Sequence, residues 1–506
     1  MSKAKQEYIL PLAAAAPDHG GLGRLRASAL SATLALLALV LLAPHARLLL
    51  APTSALSHAP AALEPFYHSV RTHSDLCVGG VSHSGYIGIA GDREDALKRA
   101  FFWLFEAQRD AENAPVILTI GGGPGTSGMT NPLIGQSHCK VSPNLTTYPN
   151  PDAWSEHYNL LALDHPIGVG YSYGQMVNDS RDAAYDVYDF LVKFFHLYPN
   201  LAKNQFVVAS GSYGGMYVPH IATVIHEQNA ALAAGHGHPG ARHINLSSML
   251  VSNPISDFLS HHRWVLQQRC YFTDIYNAST CNAAFAALPA CLEAAQLAYI
   301  DSTLTRRVAA RDACAAVTPD IEGRDLQNVE RKCDGTVEDC YPATVYVGAF
   351  MNLASTKEAL GVPQHLNWAF VRMAVWEEFF AMADRTQPAY LLYEPLLEAG
   401  YRLLHYVGKL DANCGWPGVL STLRLLPSSY QSAFNDAPDL TWPGHAATVR
   451  AVARASDEHG AKGAGAFAFV LMDHAGHFVT HDQPTLVKEI VRRWIANVGW
   501  NETLNE

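Results

Sequence analysis

Charge is scarce in this chain. Only 16% of its 506 residues are Asp, Glu, Lys or Arg, against 49% apolar residues, which excludes a disordered chain and points to a globular one. Positive charge is scarcer than negative: the formal net charge is −11 and no basic run interrupts the sequence, which argues against a nucleic-acid partner. The 24 histidines include no His-Glu-x-x-His and the nine cysteines no paired Cys-x-x-Cys, so no zinc site is indicated and no metal or cofactor is expected. The chain has no internal repeat. Its one long glycine run lacks a following Gly-Lys-Ser/Thr, which disfavours a phosphate cradle.

What is present has the stamp of the secretory pathway. Cysteines 77, 139, 270, 281, 291, 314, 333, 340 and 414 are widely spaced, as disulfides in a large oxidised protein are, and their odd count leaves at least one thiol unpaired. Asn144, Asn178, Asn245, Asn277 and Asn501 each begin an Asn-x-Ser/Thr sequon and are glycosylation candidates. Residues 1–26 form a polar tail ending in Arg24 and Arg26. Ala27–Ala43 is then a charge-free run of 17 residues, at the lower limit of about 17–25 for a membrane span. Residues 27–50 read either as a cleaved signal peptide or as an uncleaved signal anchor with the two arginines on the cytosolic side. The length of the polar head favours the anchor, and with it membrane attachment through residues 27–43. Residues 51–65, rich in Ala, Pro and Ser, read as a linker.

The folded region is expected at 66–506. Ser84–Ile89 and Arg99–Phe105 read as successive antiparallel strands. Val116–Ile120, Leu160–Leu163, Phe206–Ala209, Arg402–Gly408 and Phe467–Leu471 are short apolar runs that read as buried strands. Helical patterns over Asp182–His196 and Pro484–Val498 alternate with them, which predicts an α/β sheet with helices on both faces. Between about 257 and 360 the texture changes to polar and Ala-rich helical pieces that hold six of the nine cysteines. This reads as a disulfide-braced insertion, a cap over the cleft.

The chain is organised around Phe206-Val-Val-Ala-Ser-Gly-Ser-Tyr-Gly-Gly215. Strand, small-residue turn and helix with a serine at the apex is the layout of a nucleophile elbow. Gly214 stands two places after Ser212, whereas Ser210 has no glycine two places away on either side, so Ser212 is the candidate nucleophile. A serine needs a base and a carboxylate to hold that base. On an α/β sheet such groups sit in loops beyond the strand carboxyl ends. Asp411 follows the 402–408 run and His477 follows the 467–471 run, and the order Ser212, Asp411, His477 is that of an α/β-hydrolase. Asp473 and His474 share the loop of His477 and remain an alternative pair. Asp164 precedes the serine in the chain, which suits a structural hydrogen-bonding role. In Gly121-Gly-Gly-Pro-Gly125, after a buried strand, backbone amides face a ligand. The Gly123 and Tyr213 N–H groups are the candidate oxyanion donors.

These residues resemble the serine carboxypeptidase family from about Cys77 to Trp500. The resemblance rests on Phe101-Phe-Trp-Leu-Phe-Glu106, Asn113-Ala-Pro115, Gly122-Gly-Pro-Gly125, Asn150-Pro with Trp154, Leu163-Asp-His-Pro-Ile-Gly-Val-Gly-Tyr-Ser-Tyr173, Ser212-Tyr-Gly-Gly215, Ala359-Leu-Gly-Val362, Gly408 with Asp411, Cys414 and Trp416, and Gly476-His477. It implies an α/β-hydrolase fold with a helical insertion, a secretory or vacuolar location, and removal of C-terminal residues from peptides. It also implies the triad Ser212, Asp411 and His477 with oxyanion donors Gly123 and Tyr213. Cys414 resembles a free thiol near the cleft in some members. Four positions depart from the family. Its terminal-carboxylate binders, one asparagine and two glutamates, fall on Gly121, Gly211 and about Gly135, and its cysteine after the glycine loop is Thr126. Gly121, Gly122 and Gly211 are therefore expected to line the substrate site without side-chain donors, leaving a wider, uncharged leaving-group pocket. Peptide hydrolysis through an acyl-enzyme is the expected activity. An esterase, acyltransferase or amide hydrolase on blocked substrates is the alternative, and a membrane-tethered binding protein the non-enzymatic one.

Overall fold

A computed structural model describes residues 66–504 apart from 90, 91, 94–96, 239, 322 and 454–462. The polar tail, the apolar run at 27–43 and the linker at 51–65 lie outside the described residues.

The described residues form fourteen strands: β1 (Tyr67–His73), β2 (Ser82–Gly88), β3 (Lys98–Phe105), β4 (Val116–Ile120), β5 (Cys139–Val141), β6 (Thr147–Pro149), β7 (Asn159–Leu163), β8 (Tyr173–Gly174), β9 (Phe206–Gly211), β10 (Leu246–Ser252), β11 (Arg402–Gly408), β12 (Leu440–Thr441), β13 (Ala447–Val452) and β14 (Phe467–Met472). All but β5 and β6 belong to one mixed sheet in the order β1-β2-β3-β7-β4-β9-β10-β11-β14-β13-β12, with β8 against β3. The centre, from β7 to β14, is parallel. The flanks are antiparallel. The expected parallel sheet is thus its middle, and the flanks make the whole mixed.

Alternation along the central strands builds a core on each face. Phe206 and Val208 of β9 point into one cluster with Val116, Leu118 and Ile120 of β4. That cluster is completed by the helices Ser180–Leu197 and Gly214–Ala233. Val207 and Ala209 point the other way, with Ile117, Leu404 and the helix Pro484–Ala496. Each fully buried Phe or Val contributes about 1.5–3 kcal/mol relative to an exposed one, so a central strand cannot slip register without losing several such terms. Asp179 starts the helix Ser180–Leu197 by accepting from the N–H groups of Arg181 and Asp182, at 3.0 and 2.9 Å.

Between β10 and β11 the described chain is helical, including Phe258–Gln267, Ala278–Ile300 and Leu304–Ala315. Three disulfides brace it, Cys270–Cys281, Cys291–Cys314 and Cys333–Cys340, while Cys77–Cys139 lies elsewhere and Cys414 is free. Ala278–Ile300 is also the one helix among the described residues long and apolar enough to cross a membrane. It packs against its helical neighbours in this connection and shares a small core with them through Cys281, Cys291 and Ala295.

Candidate active site

The loops after β4, β9, β10, β11 and β14 converge at the carboxyl end of the parallel centre. β9 runs on to Gly211 and the next helix starts at Gly214, so only Ser212 and Tyr213 form the turn. Ser212 has φ +60°, a left-handed conformation that costs a non-glycine residue about 1–3 kcal/mol. Its N–H donates to the Ser252 carbonyl at 3.0 Å, and its own carbonyl accepts from Gly215 and Ile255, at 3.0 and 3.1 Å. The neighbours must be small. A Cβ on Gly211 would lie 2.5 Å from Ser252 Oγ, and one on Gly215 would lie 2.4 Å from the Ile255 carbonyl oxygen. Ser210, the alternative apex, is buried and donates its hydroxyl to the Ile120 and Gly121 carbonyls at 3.1 and 3.3 Å.

Asp411 is fully buried, and its carboxylate accepts four hydrogen bonds. Oδ2 faces His477 Nδ1 and Asn253 Nδ2, each at 2.7 Å. Oδ1 accepts from the Asn413 and Cys414 amides at 2.7 and 2.9 Å. Asn253 was not legible in the sequence. It follows β10 with φ +42°, and its own Oδ1 accepts from the Gly408 amide at 3.2 Å, tying the loop after β10 to the end of β11. Its only signal was an asparagine in a turn just beyond a strand of the parallel sheet.

His477 is fastened from outside its own loop. Its N–H donates to the Gln327 carbonyl at 2.6 Å, and Gly476 N–H donates to Asp482, which also binds Asn328 and Arg331. The alternative pair is not assembled. Asp473 binds Lys409 at 2.8 Å on the surface, and His474 is exposed.

Among the described residues no hydrogen bond joins Ser212 Oγ directly to His477; the Cys414 thiol bonds to both side chains. Burial raises the Cys414 pKa, so this thiol is neutral near pH 7. Burial also opposes an imidazolium at His477, but the Asp411 charge and the hydrogen bond His477 donates to it, with a further contribution from Cys414, outweigh it. The His477 pKa stands well above 6.5. The Asp411, Cys414 and His477 donor atoms all lie within 4.8 Å of one another, a metal-like grouping. The four bonds already on the carboxylate leave it committed to hydrogen bonding.

The glycine loop lies against the elbow. A Cβ on Gly122 would come within 2.5 Å of the Gly211 carbonyl oxygen, 2.9 Å of Ser212 Cβ and 3.2 Å of the Tyr213 nitrogen. Gly123 has φ +108°. Among the described residues neither the Gly123 nor the Tyr213 amide donates a hydrogen bond. Where the family's cysteine is replaced, Thr126 forms a β-bridge with Val371, and the Ser127 and Arg372 amides bond to the Phe370 and Gly125 carbonyls at 3.0 and 2.8 Å. Asp164 braces the same loop. It is buried and accepts from Ser127 Oγ and from the Gly128 and Tyr171 amides, and burial raises its pKa to about 6.

The expected widening of the pocket does not occur at the three departing glycines. A Cβ on Gly121 would lie 2.0 Å from the Thr126 carbonyl oxygen, and one on Gly135 would lie 2.8 Å from Thr480 Cγ2. Ser252 fills the corresponding space at Gly211. The side chains are absent because neighbouring atoms already stand where they would begin. Gly121→Asn, which reinstates the family's residue, is therefore expected to destabilise the protein by about 1–3 kcal/mol or more through overpacking. A thermal melt indistinguishable from the parent's would show that the loop yields freely.

A mixed sheet with a serine elbow, a buried acid after β11 and a histidine after β14 defines an α/β-hydrolase. The family model described as serine carboxypeptidase matches residues 75–497, and the chain belongs to this family of serine hydrolases. The chain is 31% identical over 429 residues to carboxypeptidase Y homolog A of Ajellomyces capsulatus, covering 83% of this chain and 74% of the relative. It is 30% identical over 426 residues to the protein of that name from Botryotinia fuckeliana, covering 82% and 72%. The crystal structure of Kex1(delta)p, a prohormone-processing carboxypeptidase of Saccharomyces cerevisiae, superposes with a TM-score of 0.66 at 20% identity. That superposition covers 84% of this chain and 93% of the other.

Proposed function

We propose that this protein hydrolyses peptides near their carboxyl end through an acyl-enzyme on Ser212. The observation that carries the reading is the convergence of the serine elbow, the Asp411–His477 pair at 2.7 Å and two uncommitted backbone amides in one cleft. Ser212 attacks the scissile carbonyl after rotating from Cys414 toward His477. His477 takes the hydroxyl proton and returns it to the leaving amine. Asp411, held by Asn253 and two amides, orients the imidazole and stabilises its charged form. The Gly123 and Tyr213 N–H groups receive the oxyanion, each worth about 10²–10³ in turnover. Water then deacylates the serine by the reverse path. Loosely aligned catalytic hydrogen bonds are usual before substrate binds.

The helical connection between β10 and β11 acts as a cap. Four disulfides suit folding in an oxidising compartment, and Asn144, Asn245, Asn277 and Asn501 are exposed where glycosylation would occur, with Asn178 half-buried. Residues 27–43 would supply the membrane attachment.

A second reading keeps the chemistry and changes the substrate. With Gly121, Gly211 and Gly135 in place of the family's polar side chains, esters, amides or acyl acceptors without a free carboxylate would be taken. Matched substrates with free and amidated carboxyl ends decide between the two readings. Hydrolysis of the free acid more than about tenfold faster than of the amide, a difference of about 1.4 kcal/mol, supports the carboxypeptidase. Equal rates, or a preference for the blocked form, support the second reading.

A further inference from the structure

Close to the elbow lies a cation that the site described so far does not use. In the segment Ala383–Gln387, Ala383 has φ +47° and the turn Asp384–Thr386 follows. Asp384 is fully buried and fully engaged: it accepts from Tyr213 Oη at 2.7 Å, Ser180 Oγ at 2.5 Å and Gln387 Nε2 at 2.8 Å. This pins the turn to Tyr213, the residue after the candidate nucleophile. The next side chain, Arg385, is half-buried, with its guanidinium 5.6 Å from the centre of the Phe258 ring. Its electrostatic neighbours are Tyr213, at the elbow, and Cys414, in the loop of Asp411. On the cap side it faces His261 and His262, whose pKa values burial and then neighbouring cations, Arg385 among them, depress. These histidines are therefore neutral near pH 7. Arg269, also near them, is spent on the Ala412 carbonyl and Tyr276 Oη, at 2.9 and 2.7 Å.

Among the described residues Arg385 has no ion pair and no hydrogen bond, and the carboxylate beside it in sequence is bound elsewhere. A half-buried guanidinium without an anion is free to hold a ligand carboxylate by a bidentate pair. Gly121, Gly211 and Gly135 offer no side-chain donors for that role.

We propose that Arg385 binds a carboxylate of the substrate and so sets the specificity of the cleft. The inference rests on the reading that the cleft at Ser212 receives a peptide. The carboxylate has two sources, the peptide's own terminus or an acidic side chain next to the scissile bond. A half-buried cation beside the Phe258 ring suits either an anionic terminus or a Glu or Asp side chain.

The test measures binding without turnover. Ser212→Ala protein is titrated calorimetrically with four N-acetyl dipeptides, with Glu or Gln before a terminal Leu, each as free acid and as amide. The titrations are repeated in the Ser212→Ala protein that also carries Arg385→Gln or Arg385→Lys. The expected result is a carboxylate preference of about 10–100-fold in the Arg385 protein. The preference is abolished by Arg385→Gln and reduced by Arg385→Lys, which keeps the charge but loses the fork. An Arg385-dependent Glu-over-Gln ratio assigns the side-chain source, and an Arg385-dependent acid-over-amide ratio assigns the terminus. Peptides that bind with ratios unchanged by Arg385→Gln overturn the proposal alone. Arg385-dependent binding without cleavage by the wild-type protein overturns the peptidase reading alone. No binding by any of the four overturns both. Should Arg385→Gln fail to fold, Arg385→Lys supplies the same comparison.

Discussion

Ser212→Ala should abolish labelling by a fluorophosphonate and lower kcat/KM for any substrate by roughly 10⁴–10⁶, while leaving the melting temperature close to the parent's. The size of the effect comes from the serine's two roles, as attacking atom and as carrier of the acyl group. The small effect on stability follows because alanine keeps the Cβ and inherits the backbone bonds to Ser252, Gly215 and Ile255, and only a half-buried hydroxyl is lost. Labelling that persists in the variant would move the nucleophile elsewhere. Ser210 would be a poor refuge, since its hydroxyl is buried on the Ile120 and Gly121 carbonyls.

Asp411→Asn should lower turnover by about 10⁴, because an amide at this position holds the imidazole in the wrong tautomer. A second signature separates this loss from simple misfolding. The base form of His477 must be neutral to accept a proton. Against the opposing effect of burial, the Asp411 charge lifts its pKa well above 6.5. In the wild-type protein kcat/KM should therefore climb as pH rises through that elevated value, with the optimum on the alkaline side of neutrality. In Asp411→Asn the lifting charge is gone, and the ascending limb should move toward acid even as its height collapses. A wild-type ascending limb centred below about pH 5 would mean that His477 is not the group being titrated.

Most of the central strands were legible almost to the residue, but β10, between β9 and β11, was not read as a strand. Val116–Ile120, apolar but for Thr119, and Arg402–Gly408, apolar but for Arg402 and His405, stop at turn residues, because parallel strands buried on both faces need mostly apolar side chains in both directions. The flanks were harder. β1 mixes exposed and buried positions, β13 mixes buried and half-buried ones, and β12 spans two exposed residues, so they lack a continuous apolar run. Ser212, Asp411 and His477 were readable because each terminates or follows such a run. Asn253 and the surroundings of Arg385 were not, because they depend on what approaches from distant parts of the chain: Asp411 comes 158 positions after Asn253. The four disulfide pairings were equally hidden, since spacing does not fix which thiols meet. The glycines misled in a specific way. An absent side chain reads in sequence as an opening, yet a carbonyl, a hydroxyl and a methyl group stand at those points.

That packing bears on how the chain could change over generations. Reversion at Gly211 or Gly135 meets a side chain, Ser252 or Thr480, that a compensating substitution could trim. Reversion at Gly121 meets the main-chain oxygen of Thr126, which no side-chain exchange at that neighbour removes. The family's asparagine at Gly121 is thus closed to a single substitution, and a side-chain donor for an anionic terminus would have to come from another part of the wall.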